Sequence, residues 1–355
     1  MRSISIGRRS FMQWAGLTSL GLSMGFPLRS RWALAGEPAR TKALAGWKKR
    51  ADGYEYFVQN NIKTSWLDDG YLAAKLDNRW WIYPTAAYEE EFHAWWLQEK
   101  MYYYDELEKA IQEGRDRVVP NGGHHHPMLA TYGGKYLNRG DSAFHLNVTP
   151  KGYALLPKAA YIRQMIKDVD EIYATSTNLP ADVFNYRREN YRQTELWDAN
   201  KFATLEVYSG HPIDDKDPMK LSFKETHTFQ NLMANPMATL TFMSIYNTTG
   251  EQTYFFGEEG QTPTFEFRGF CWLISPYNPD LTQYERDVLE YLNQAFSKYH
   301  GLRSDFIANI FVICEEFNNS PTDSDKYGLG KRVVPALTYT GTEGNKIKNR
   351  LEKKG

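Results

Sequence analysis

FATLEVYSGHP (residues 202–212), LSFKETHTFQNLMANPMATLTFM (221–243) and TFEFRGFCWLIS (264–275) are runs of β-branched and aromatic residues separated by turn signals. Such runs predict strands. KFATLEVYSGHP reads as a strand closed by a Gly-Pro turn, MKLSFKE as a second, ATLTFMSIY as a third and TFEFRGFCWLIS as a fourth. THTFQNLMANP between them reads as a short helix. Pro236 disfavours helix at Asn235, so the chain must leave that helix directly into an extended strand.

On either side the pattern becomes helical. A helix is predicted over Tyr88–Gln112, with Pro84 ahead of it, Glu89, Glu90 and Glu91 in its first turn and Gly114 as its stop. Acids at a helix start favour the helix dipole. Its apolar residues run almost all round, which predicts burial on more than one side. A second helix fits Pro157–Tyr173, where Ile162, Met165, Ile166, Val169, Ile172 and Tyr173 share one face. Between the two helices, MLATYGG and SAFHLNVTP read as strands, and residues 54–84 as irregular chain. YRRENYRQTELWD (186–198) reads as a charged connection. After residue 279 one helix carries Tyr284, Val288, Tyr291, Leu292, Ala295 and Tyr299 and is closed by Gly301. A further apolar helix is expected over Ser304–Phe317, a last strand in VVPALTYT, and disorder in the basic tail 341–355.

The β-rich segment resembles the pyridoxamine-phosphate-oxidase-like, FMN-binding split barrel. The resemblance lies in Phe202-Ala203-Thr204, Gly210-His211-Pro212, Asn231-Leu232, Asn235-Pro236 and Arg268-Gly269, and covers about a quarter of the chain. It implies an FMN phosphate held where a strand runs into the short helix, by Lys224, Thr226, His227 and Thr228, with Arg268 adding positive charge. Hydroxyl and N–H groups at a helix start suit a phosphate. Thr228 stands where the family carries a basic residue, so Lys224 or His227 would supply that charge. The resemblance also implies a homodimer with the flavin ring at its seam. The expected fold is α+β: a helical N-terminal half packed on a split-barrel-like antiparallel β core, with C-terminal helices. The expected division is a leader at 1–35, a helix-rich region at 36–175, the β core with its C-terminal helices at 176–340 and the tail. Residues 128–150, which contain a second Leu-Ala-Thr, are another source of barrel strands.

The leader resembles a twin-arginine export signal. Arg8 and Arg9 precede Ser10 and Phe11, a Gly-broken apolar run follows, and Ala33-Leu34-Ala35 offers a cleavage site. Five arginines and no acid precede Glu37. This predicts passage through the twin-arginine translocase to the periplasm, or, if the signal is uncleaved, a membrane anchor. The apolar run falls short of the roughly 20 residues that a span needs.

The whole chain has 42 basic and 43 acidic side chains, so without the leader arginines it is mildly acidic. That is no footprint for nucleic acid. Aromatics make up 15% of the residues, suiting a large core or a stacking surface for a planar ligand. Cys271 and Cys314 lie in apolar runs, as buried free thiols do, although an oxidising compartment permits a bridge. His124, His125 and His126 form a cluster. In extended chain His124 and His126 share a face, and His145 would join them across a hairpin. Such a set suits a transition metal or a haem axial site. Rossmann, P-loop, GxSxG and HExxH patterns are absent. Three functions remain open: a flavin-dependent redox protein, a non-catalytic protein that binds a ligand or partner through a degenerate barrel, and a His-ligated haem or metal protein.

Overall fold

The computed structural model describes residues 47–113, 123–134, 145–206, 226–244, 263–294, 306–320, 331–334, 350 and 352–353. The leader, Lys224, the MKLSFKE strand, Gly114, Gly301, most of VVPALTYT and most of the tail lie outside these residues. The fold is α+β. No described helix is long and apolar enough to cross a membrane.

The main sheet is antiparallel. Its strands are β6 (Met128–Tyr132), β7 (Leu146–Pro150), β8 (Ala154–Pro157), β9 (Trp197–Glu206), β10 (Met237–Met243), β11 (Thr264–Ile274) and β12 (Ile307–Asn318), in the order β7-β6-β10-β11-β12-β9-β8. A short β13 (Lys331–Val334) pairs with β12. β6 and β7, both from the 128–150 stretch, thus belong to the same sheet as β9, β10 and β11, through β6 against β10.

The helix expected over Ser304–Phe317 is instead β12, the strand between β11 and β9. Its side chains alternate between two cores: Ile307, Phe311 and Ile313 enter one, while Ala308, Ile310 and Val312 enter the other. A strand buried on both faces loses its polar alternation and looks like a buried helix. The three isoleucines and the valine were the β signal.

The sheet is curled. Its edge strands β7 and β8 are consecutive in the chain, joined only by Lys151–Tyr153. Four residue steps reach at most about 14 Å, whereas a flat seven-stranded sheet is about 28 Å wide. Phe202 of β9 and Phe242 of β10 are three strand positions apart, yet their ring centroids are 5.2 Å apart. The concave side is filled by α1 (Glu90–Gln112) and α4 (His227–Ala234). Phe92 of α1 meets Phe202, Phe242, Phe265 and Phe267 with centroids 4.8–5.4 Å away. At the bulge between Arg268 and Gly269, a Cβ on Gly269 would collide with the Val312 carbonyl, so only glycine fits.

The convex side is half covered. A small sheet, β3 (Ile62–Lys63), β4 (Tyr71–Leu76) and β5 (Arg79–Pro84), packs there with α2 (Ala159–Thr175) and α5 (Gln283–Leu292) against β9, β11 and β12. Residues 54–84, expected to be irregular, supply that sheet as well as β2 (Glu55–Phe57), which pairs with β1 (Trp47–Lys49). Asp77 and Asn78 turn the β4–β5 hairpin at positive φ, the two-residue connection such hairpins favour. The charged connection at 186–198 is largely helix: it begins inside α3 (Leu179–Tyr191). Cys271 and Cys314 are not joined in a disulfide, and one lies in each core with the sheet between them.

Candidate functional site

The second half of α1 carries a buried group of unlike chemistry. Trp96, Lys100, Tyr103 and Tyr104 fall three or four residues apart and share a face. That face meets Tyr191 of α3. The Lys100 ammonium lies 5.3–5.9 Å from the ring centroids of Trp96, Tyr103, Tyr104 and Tyr191. The side chain is 5% exposed, and no carboxylate among the described residues pairs with it. Burial, and then the charge of Arg187, bring its pKa down to about 7.

The turn at 123–126 closes over this face. A Cβ on Gly123 would collide with the Met243 carbonyl, so glycine lets the turn press against the end of β10. Trp96 Nε1 donates to the His124 carbonyl at 2.7 Å. The His124 imidazole is fully buried, and neither ring nitrogen has a hydrogen-bond partner among the described residues. Burial, then Lys100 and His126, hold it well below the usual histidine range. Its Nδ1 is 3.8 Å from Glu99 Oε2. With the ring neutral, that contact is dipolar and not an ion pair. The Ser244 hydroxyl donates to Glu99 Oε1. The cluster thus offers an amine, a neutral imidazole, a carboxylate and a hydroxyl inside aromatic walls. Aromatic residues at helical spacing around a single lysine were its sequence signal.

The histidines expected to hold a metal are not brought together. His124, His125 and His126 lie in a turn, so the alternation of extended chain does not apply. His145 sits at the far end of the β6–β7 hairpin, where Gly133 donates its N–H to the His145 carbonyl. That is about five strand residues, or 17 Å, beyond the Met128 end next to His126. His145 Nδ1 instead lies 3.0 Å from the Gly134 carbonyl. Among the described residues no three His, Cys, Asp or Glu side chains converge as a metal site.

The residues expected at a flavin phosphate are divided. Thr226 caps α4 by accepting the Phe229 N–H, and His227 opens the helix. Thr228 is buried and accepts a hydrogen bond from Asn147 Nδ2 at 2.8 Å. α4 lies on the concave side, where Phe229 meets Phe57 with centroids 5.2 Å apart. Arg268 alternates with the concave-side Phe267 and therefore projects from the convex side. There it pairs with Glu266 at 2.7 Å and Glu315 at 3.7 Å and covers the Phe317 ring. The sheet separates Arg268 from Thr226.

No family model matches the chain, and no curated protein is similar to it.

Proposed function

We propose that this is an exported, non-catalytic binding protein that works as a homodimer, with its convex β7-β6-β10 face as the contact. The observation that carries this is the uncovered half of the sheet. Of the eight large apolar side chains exposed among the described residues, six (Met128, Tyr132, Leu146, Val148, Met237 and Met243) lie on this face. Leu146 and Val148 are 63% and 60% exposed. Contiguous apolar surface of this kind marks an interface. A two-fold contact needs a self-complementary patch. The rim along β11 and β12 carries both signs, in Glu266, Arg268 and Glu315, so a second copy can set acid against base. Methionines supply an adaptable centre. Sedimentation of the purified chain tests the proposal. A dimer that Leu146→Asp with Val148→Asp converts to a folded monomer supports it. A monomeric wild type at tens of micromolar overturns it.

A flavin-dependent redox protein is the second reading. In its favour, α4 runs from the Thr226 cap to Asn235-Pro236 and straight into β10, the local order the resemblance implies. The absorption spectrum of the chain, purified without added cofactor, tests this reading. Flavin bands that Thr226→Ala removes would move the function to that junction. A Soret band lost in His126→Ala would move it to the histidines.

A further inference from the structure

We propose that Lys100 is a covalent capture site for a small aldehyde or ketone, its amine forming an imine with the ligand's carbonyl carbon inside the box of Trp96, Tyr103, Tyr104 and Tyr191. This goes beyond the dimer proposal and does not depend on it.

Four rings surround the amine at similar distances, and no described carboxylate neutralises it. A lysine kept only for stability is ordinarily exposed or ion-paired. A desolvated one is the form that serves as a nucleophile. The adjacent carboxylate, Glu99, is directed to Ser244 and His124. His124 shares two of the walls with the amine: its ring lies 6.2 Å from Trp96 and 5.9 Å from Tyr103. A neutral imidazole with neither nitrogen bonded among the described residues can take up and return a proton.

The step balances without an oxidant. The neutral amine attacks the carbonyl carbon, a C–N bond forms, and a proton moves from nitrogen to oxygen through His124. The C–O bond then breaks. The oxygen leaves as water with both amine hydrogens, and the C=N bond remains.

The test treats the full chain at neutral pH with glyoxylate and sodium cyanoborohydride, whose hydride reduces the imine to a stable secondary amine. Peptide mass spectrometry then reads each lysine. The expected result is labelling of Lys100 at least about ten times faster than the exposed Lys48 and Lys109, in line with an amine that burial leaves about half neutral near pH 7. Lys100→Arg, checked for fold by circular dichroism, should lose the adduct and keep the slow surface labelling. Lys100 unlabelled, or labelled no faster than Lys48, overturns the proposal.

Discussion

Glu316 of β12 accepts the backbone N–H of Glu89 at 2.8 Å, so a strand carboxylate holds the start of α1. Burial, with Glu89 and Glu91 nearby, outweighs this bond and raises the Glu316 pKa to about 7. A carboxyl that holds its proton more tightly when folded than when unfolded favours the fold in acid. Stability should therefore fall as pH rises from about 4.5 to about 7, then level off. Glu316→Gln keeps an acceptor for Glu89 and removes the titration. In urea melts it should gain about 1–2 kcal/mol on wild type near pH 8 and match it near pH 5. Equal gains at both pH values would disprove the linkage.

Phe92 touches rings from β9, β10 and β11 and fills the curl. Phe92→Ala should cost about 3–5 kcal/mol in denaturant unfolding. A loss below about 1 kcal/mol would mean that the curl does not depend on this ring.

Gly269→Ala drives a methyl into the Val312 carbonyl across the β11–β12 bulge. The central pair must then separate. The variant should lose about 2 kcal/mol or more, or be recovered only as insoluble protein. Native-like melting of this variant would argue against the close approach.

Thr226→Ala removes the α4 cap and should cost about 1 kcal/mol. Thermal melts of the apo chain report this structural part separately from any loss of flavin colour.

Cys271 and Cys314 lie on opposite sides of the sheet, and burial pushes the Cys314 thiol strongly upward. Reductant should therefore leave the melting temperature unchanged. A drop on adding dithiothreitol would show a disulfide that this geometry forbids.

The unit from Thr226 to Met243 was readable because each level agrees: a threonine cap, an apolar helical face, Asn-Pro, then strict alternation. The α1 helix was readable from its acids and ring-rich faces. β12 was not, because a strand covered on both faces carries no period of two. The β3–β5 sheet was hidden by short strands whose pairing depends on turns at Gly70 and Asp77-Asn78. At the site, the histidine triplet marks the turn that closes over α1, and the extended chain expected for it is replaced by that turn. Extended-chain reasoning cannot see that His124 points into the α1 face and that His145 ends a different part of the hairpin. The environment of Lys100 depends on α3, which sequence reasoning had taken for charged connection.

The place of β12 also sets an order of assembly. β7, β6, β10 and β11 form one block of hydrogen-bonded strands and β9 with β8 another, and among the described residues β12 alone bridges the two. That bridge follows every other long strand among the described residues in chain order. A chain arrested before residue 307 holds most of its aromatic residues yet has two sheet fragments and no continuous hydrogen-bonded layer. The chain must be released through residue 318 before this sheet can fold cooperatively, and a fragment ending at residue 306 should unfold without a sharp transition.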